Sequence, residues 1–162
     1  MTRTETTAPL AGSGQAATLR PARPDDLPRI EALLRASDLP LDGVAEALPT
    51  FVVAEHDGRL VGVAGLECCR ENALLRSVAV DPEWRSRGLG RQLVTRVISE
   101  AEARGIRALY LLTMTAEHYF PSFGFEKVSR DAVPADVRAT DEFRSACPAS
   151  ATVMAKPLAG AA

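Results

Sequence analysis

One short basic loop constrains the fold of this chain more than any other feature. The hexapeptide Arg85–Gly90 follows the apolar run 74–80 and precedes a segment whose apolar residues recur at helical spacing. A strand, a glycine-containing loop and a helix form a cradle for phosphate, because the first amides of a helix lack internal partners and carry the positive end of its dipole. Glycines let that backbone approach a ligand oxygen, and arginines add charge. The pattern therefore predicts a phosphate-bearing ligand.

Two common nucleotide-binding loops do not match these residues. The Gly-Lys-Ser/Thr of a Walker loop is missing, and Leu93 stands where a dinucleotide-binding loop has its third glycine. The remaining alternative is an arginine-rich helix start that simply meets solvent. Arginines placed against the helix dipole cost stability when no anion is present, which favours the phosphate site.

Composition limits the classes of partner. The chain has 162 residues and a net charge of −2, so we expect one domain and no nucleic-acid or membrane partner. Residues 1–17 are rich in Thr, Ala, Gly and Ser and lack the apolar centre of a signal peptide. We predict a disordered tail over residues 1–17 of a cytoplasmic protein, followed by a folded domain over residues 18–157.

The order of predicted elements is typical of a mixed α/β sheet. The Asp57-Gly58 pair predicts a hairpin between two apolar runs, and a long helix begins near Gly88 and stops at Gly105. Thr115 is expected to cap a short helix that ends at Gly124. Strands are predicted at 18–21, 50–55, 59–68, 74–80, 106–113, 125–128 and 149–156, with helices near 24–34, 41–47, 88–104 and 115–123 and an ambiguous segment over 131–146.

The Arg-x-x-Gly-x-Gly loop after a valine-containing strand resembles the acetyl-CoA-binding signature of the GNAT acyltransferase superfamily. The element order over roughly Thr18 to Lys156, the opening LRPARPDDLPRIEALL and the Phe123-Gly124-Phe125 turn are also similar to that family. The resemblance implies an α/β fold with a mixed, mainly antiparallel sheet of about seven strands and helices on both faces. It also implies acetyl-CoA as co-substrate, and no metal.

The resemblance assigns the cofactor-binding residues. The pyrophosphate is expected on the loop backbone, and the pantetheine arm beside the strand that precedes it. These residues are Val78, Ala79, Val80, Arg85, Ser86, Arg87, Gly88, Leu89, Gly90 and Arg91.

Catalysis of acetyl transfer requires a neutral amine and a proton for the departing thiolate. Glu67, at the end of a strand beside the expected thioester, is the candidate base; the alternative is an edge glutamate or a partner for Arg76.

The candidate acid is less direct. At the position of Phe120, many family members carry a tyrosine that can protonate the departing thiolate. Tyr119, the neighbour of Phe120, is the candidate acid in this chain. Adjacent helical residues point about 100° apart, so Tyr119 would not take the same position as a tyrosine at 120. Water or another hydroxyl is the alternative acid.

Substrate-binding candidates come from three segments. Arg76 would bind a carboxylate through its guanidinium fork, or else form a salt bridge with Glu67 or Glu71. Segments 74–80, 111–117 and 142–150 resemble the branch called arsenic-resistance N-acetyltransferases, and this implies a glutamate-like amine such as arsinothricin. Further candidates from these segments are Thr113, Arg144 and Cys147.

The expected function is acetyl-CoA-dependent N-acetylation of a small, amino-acid-like amine. The alternatives are a non-catalytic sensor of acetyl-CoA or arsenic, and a protein N-terminal or lysine acetyltransferase. The adjacent Cys68 and Cys69 would point to opposite faces of a strand, which argues against a three-thiolate arsenic site and favours small buried side chains. A homodimer is one expected assembly, because exposed sheet edges are often covered by a second subunit.

Overall fold

The computed structural model describes residues 16–140, 142–146 and 150–158; the tail prediction for residues 1–15 lies outside them. Within these ranges the chain forms seven strands and four α-helices. The strands are β1 (Thr18–Pro21), β2 (Phe51–His56), β3 (Arg59–Cys69), β4 (Asn72–Val80), β5 (Ala108–Thr113), β6 (Glu126–Lys127) and β7 (Thr152–Pro157). The helices are α1 (Leu27–Ala36), α2 (Val44–Ala47), α3 (Leu89–Ala103) and α4 (Ala135–Arg138).

The strands make one sheet in the order β1-β2-β3-β4-β5-β7-β6. Every pair is antiparallel except β4 and β5, which run parallel. The parallel pair needs a crossover, and α3 supplies it. The predicted mixed, mainly antiparallel sheet is confirmed.

Helices cover both faces of the sheet, because β2 presents apolar side chains to both faces. Val52 and Ala54 pack in the same core as Leu93 of α3, whereas Phe51 and Val53 pack in the core that contains Ile30 of α1. Successive strand side chains point to opposite faces, so one apolar strand serves two cores. This arrangement fixes α3 against the face of the sheet opposite α1.

The sheet opens between β4 and β5. Their pairing covers only Asn72 to Leu74, and the two strands diverge beyond Leu74. A register shift in the β3–β4 pair adds one residue to β4 near Ser77, whose φ of +61° lies in the left-handed region. An extra residue bends the strand that carries it. The bend and the lost pairing leave an opening beside residues 75–80.

Predicted boundaries hold within a few residues for the long elements and fail after β5. Thr115 caps no helix; instead, the side-chain oxygen of Thr113 accepts from the amide of Ala116 at 2.9 Å, and only residues 120–123 form a 3₁₀ turn. The ambiguous segment 131–146 contains α4 and a π-helical turn, Glu142–Ala146. No helix among residues 16–140, 142–146 and 150–158 is long and apolar enough to cross a membrane.

Candidate functional site

A cleft of about 950 Å³ occupies the opening between β4 and β5. Its walls come from residues 75–80 of β4, the end of β5, the loop before α3 and the aromatic turn at residues 119–120. The segment Ser37–Pro40, which follows α1, closes one side. The cleft therefore lies where the sheet has lost its pairing, at the carboxyl ends of the two parallel strands.

The start of α3 forms one end of the cleft. Gly88 caps the helix with φ +82°, and the first intrahelical bond runs from the Gln92 amide to the Gly88 carbonyl at 3.1 Å. The amides of Leu89, Gly90 and Arg91 precede that bond, so they are the donors a helix leaves without internal partners. A β-carbon on Gly88 would meet no atom within 4 Å. This end of the cleft presents a helix N-terminus with an open backbone.

The arginines of the loop are oriented by contacts of their own. Arg85 donates from Nε to the Val80 carbonyl at 3.1 Å, and the Arg87 guanidinium lies 5.0 Å from the centre of the Trp84 ring. Arg91 donates to the Ser122 hydroxyl at 2.9 Å and stacks over Phe123. Three positive charges thus surround the helix start, an environment that favours an anion.

The two neighbouring aromatic residues of the 119–120 turn have different environments. Phe120 is buried and packs edge-on against Phe125, with ring centres 5.8 Å apart. Tyr119 is 38% exposed, and its hydroxyl lies at the first turn of α3, beside Gly90. Partial burial raises the pKa of Tyr119, so its hydroxyl carries a proton at neutral pH. Both side chains line the cleft, but the tyrosine is the one with a proton to donate.

A buried arginine lies at the other end of the cleft. Arg76, on β4, donates from Nη1 to Glu67 at 2.9 Å and from Nε to the Ser77 hydroxyl at 3.0 Å. Its Nε also lies 3.3 Å from a carboxylate oxygen of Glu142. Nη2 is buried and has no hydrogen-bond partner among the described residues. A guanidinium with an unused donor is an incomplete site, because buried donors are nearly always satisfied.

Glu142 is the functional candidate that the sequence did not reveal. It opens the π-helical turn, is 4% exposed and lines the cleft beside Arg76. Burial raises the pKa of Glu142 to about 7, although the positive charge of Arg76 opposes the shift. The segment 142–150 stands out in the sequence, but no spacing there indicates contact with β4.

The predicted base, Glu67, accepts a hydrogen bond from Arg76 and lies beside a different cavity. It lines a second cavity of about 250 Å³, together with Thr50 and Cys68. The alternative interpretation of Glu67 as a partner of Arg76 matches the contact, whereas Glu71 pairs with Arg107 at 3.4 Å. Glu67 therefore contacts Arg76 but is not among the residues that line the large cleft.

The other substrate candidates are dispersed. Thr113 lines the cleft at the end of β5, and Arg144 is exposed and is not among the residues described along the cleft wall. Cys147 lies outside the described residues. Of the two candidates within the described residues, Thr113 is the one that lines the cleft.

The cysteines differ from their prediction. Cys68 is exposed and Cys69 partly exposed, so the expectation of two small buried side chains is wrong. They are the last two residues of β3 and lie beyond its buried stretch. Partial burial raises the pKa of Cys68 and raises that of Cys69 to about 12, so both thiols are protonated at neutral pH. Within the described ranges, no three His, Cys, Asp or Glu side chains form a group that could hold a metal ion.

Comparison with known proteins identifies relatives of this architecture. Residues 48–127 match the family described as acetyltransferase (GNAT) domain. An amino-acid acetyltransferase of Aeromonas salmonicida is 36% identical over 88 residues, which are 53% of this chain and 20% of that protein. One from Neisseria meningitidis serogroup A is 33% identical over 129 residues, which are 72% of this chain and 29% of that protein. The chain thus spans well under half of these relatives.

Two solved structures are similar over most of the chain. N-acetylglutamate synthase from Neisseria gonorrhoeae, complexed with coenzyme A and N-acetyl-glutamate, superposes with a TM-score of 0.77 and 26% identity, over 90% of this chain and 36% of that one. Rv2747 from Mycobacterium tuberculosis, in complex with CoA, has a TM-score of 0.74 and 26% identity, over 87% of this chain and 99% of that one. Both similarities cover more of the chain than the family match does.

Proposed function

We propose that this chain, whose fold is that of the GNAT acetyltransferases, transfers an acetyl group from acetyl-CoA to the amino group of a small amino acid. The observation that carries the proposal is the cleft itself. One end has an open helix N-terminus surrounded by arginines, and the other has a buried guanidinium with one donor that lacks a partner among the described residues. The proposal is supported by relatives named amino-acid acetyltransferases.

The residues present fit acetyl-CoA. The loop 85–91 offers backbone amides and positive charge to a pyrophosphate, and Gly88 leaves room for close approach. Residues Val78, Ala79 and Val80 line the cleft where β4 has lost its neighbour, so their backbone is available to an extended arm. Acetyl-CoA, when bound, supplies the acetyl group as a thioester. These fits support the loop as the pyrophosphate site and β4 as the pantetheine site.

The proposed reaction moves protons at two places. An amine and a thioester give an amide and a free thiol, so the attacking nitrogen must lose a proton and the departing sulfur must gain one. Tyr119 is the donor to the sulfur, because its hydroxyl is protonated and lines the cleft beside Gly90. Glu67, the base predicted from the sequence, is a candidate acceptor for the proton of the nitrogen.

Arg76 gives the proposal its substrate class. The free Nη2 can donate to a substrate carboxylate, and the two other guanidinium nitrogens are fixed by Glu67, Ser77 and Glu142. A fixed guanidinium selects a carboxylate by position as well as by charge. Thr113, across the cleft on β5, is a further polar contact for the same molecule.

A substrate panel tests this function. Purified protein is incubated with acetyl-CoA and single amines, and thiol release and a mass increase of one acetyl group are measured. The panel contains glutamate and other amino acids, their decarboxylated amines, arsinothricin and lysine peptides. We expect acetylation of amino acids, and arsinothricin among them if the arsenic-resistance resemblance extends to function. Acetyl-CoA binding without turnover on any amine would instead indicate a sensor, and peptide-only turnover a protein acetyltransferase.

A further inference from the structure

Resting on the proposed function, we infer that Glu142 pairs with the ammonium group of the substrate and takes the proton that this group must lose. Glu142 and Arg76 would then recognise an amino acid together. The carboxylate of Glu142 receives the ammonium, and the guanidinium of Arg76 receives the carboxylate. The inference extends the site to a segment of the chain that carries none of the cofactor-binding residues.

The geometry pairs two opposite charges inside one cleft. Arg76 Nε lies 3.3 Å from Glu142 Oε1, and both residues line the cleft, although both side chains are almost fully buried. The free Nη2 of Arg76 belongs to the same guanidinium. An amino acid carries its ammonium and carboxylate on one carbon, so adjacent binding groups of opposite charge match it.

The position of Glu142 distinguishes it from Glu67. Each carboxylate contacts Arg76, but Glu142 lines the large cleft with the loop and Tyr119, whereas Glu67 lines the small cavity beside Thr50. A group that accepts a proton from the substrate must come within hydrogen-bonding distance of it. Glu142 lines the cleft in which the substrate would bind, and Glu67 is not among the residues that line it.

The charges around Glu142 suit a proton acceptor at neutral pH. Among the described residues, those that act on it are Arg76 on β4, Glu67 on β3 and Asp42 ahead of α2. Burial and the two carboxylates raise the pKa of Glu142 to about 7, and Arg76 opposes them. A base whose pKa lies near the working pH is ionised enough to accept a proton and strong enough to hold it.

The proton transfer balances. One N–H bond of the ammonium breaks, an O–H bond forms on Glu142, and the nitrogen keeps the electron pair. The neutral amine then forms the new C–N bond to the acetyl carbon while the C–S bond breaks. Tyr119 gives its proton to the sulfur, the second proton of the nitrogen restores the tyrosine, and Glu142 later returns its own proton to water. One proton is released per amide formed.

The pH dependence of kcat/KM for the amino acid tests the inference. In the unchanged protein we expect kcat/KM to fall about tenfold per pH unit below about pH 7, because Glu142 must be ionised. In Glu142→Gln this inflection should vanish, and kcat/KM should fall about 100-fold at pH 8. Its remaining activity should follow the ionisation of the free amine, rising until the amine is neutral.

Glu67→Gln is the matched comparison, because it removes the other carboxylate of Arg76 by the same change. Whatever its activity, it should keep an inflection, moved to lower pH because the charge of Glu67 helps to raise the pKa of Glu142. Calorimetric binding of acetyl-CoA and thermal melting check that each variant is folded. If Glu142→Gln does not fold, Glu142→Asp replaces it: a shifted inflection supports the inference, and an unshifted one overturns it.

The outcomes separate the two proposals. Unchanged protein that acetylates amino acids, with an inflection that survives in Glu142→Gln or is lost only in Glu67→Gln, overturns the role of Glu142 alone. Absence of turnover on every amine in the unchanged protein overturns the proposed function and, with it, this inference.

Discussion

The hydroxyl of Tyr119 lies against Gly90: its oxygen is 3.4 Å from the position that a β-carbon on that glycine would occupy. The next nearest atom is Cγ2 of Val80, at 3.7 Å. The first turn of α3, the end of β4 and the aromatic turn therefore meet at one corner of the cleft. A proton donor at this corner is next to both the loop and the opening of the sheet. Acetyl-CoA affinity tests the role of the loop, and kcat tests the role of the tyrosine.

Gly88→Ala should weaken acetyl-CoA binding. Gly88 has φ +82° and lines the cleft, so a β-carbon there would both strain the loop and crowd the approach of a ligand to its backbone. We expect Kd to rise at least tenfold, which is about 1.4 kcal/mol of binding free energy. Isothermal calorimetry measures the change.

Gly105→Ala is the control for Gly88→Ala. Gly105 has φ +77°, and a β-carbon on either glycine meets no atom within 4 Å. Each substitution should lower the free energy of unfolding by about 1–2 kcal/mol, because a β-carbon is strained in the left-handed region. Equal acetyl-CoA affinity in the two variants would contradict the assignment of the loop.

Tyr119→Phe should slow acetyl transfer without weakening acetyl-CoA binding. Removal of the proton donor is expected to lower kcat by about 10–100-fold, with Kd changed less than about twofold. Because burial raises the pKa of Tyr119, loss of its proton should slow the unchanged protein only above the ordinary titration range of tyrosine. Steady-state rates from pH 6 to 10.5 measure both effects.

Tyr110→Phe is the control for Tyr119→Phe, because it removes the hydroxyl of a tyrosine outside the cleft. Tyr110 lies on β5 and packs with Leu74 and Val137, away from the cleft. Its loss should leave kcat unchanged. Equal kcat values for Tyr119→Phe and Tyr110→Phe would contradict the role of Tyr119 and leave water as the proton donor.

Arg76→Lys should weaken the binding of substrates that carry a carboxylate more than the binding of substrates without one. Lysine keeps the positive charge but loses the fixed fork of donors, one of which is buried without a partner among the described residues. We expect KM for an amino acid to rise about tenfold, while KM for the matching amine without its carboxyl group changes little. The two KM values are measured on the same preparation, so any loss of folded protein cancels in their ratio. An equal rise for both substrates would show that Arg76 only holds the fold.

Asp26→Asn should destabilise the fold and remove part of its acid sensitivity. Asp26 is buried and accepts from Arg20 at 2.8 Å, from Arg29 at 2.7 Å and from the Arg23 amide at 2.7 Å. The hydrogen bond from Arg20 is the largest cause of its depressed pKa. A depressed pKa stabilises the folded state above the unfolded value of about 4, and this stabilisation is lost as the pH falls below it.

Urea unfolding of Asp26→Asn should show a loss of about 3 kcal/mol at pH 7 that shrinks below pH 4. Asp25→Asn changes the exposed neighbour and should alter the free energy of unfolding by less than about 0.5 kcal/mol. The same pH-dependent loss in both variants would contradict a specific role of the buried carboxylate.

Local signals predicted much of the architecture. Asp57 and Gly58 both adopt positive φ, as a tight hairpin between β2 and β3 requires. The helical spacing from Leu89 to Ala101 gives the buried face of α3. These features depend on neighbouring residues, so the sequence displays them directly. The segment after β5 carries weaker signals: the Thr113 hydroxyl accepts from the amide of Ala116, and no helix begins at Thr115.

The sequence alone determined the order of elements, the basic loop and the residue types available for catalysis. Tertiary structure decided which of them meet. Arg76 was visible as a candidate anchor, but only the folded chain brings Glu142 to one side of it and turns Glu67 to the other. The physical reason is the sequence separation over which each interaction acts. Periodicity and turn chemistry act between residues close in sequence, whereas a buried guanidinium takes its partners from any segment that packs against it.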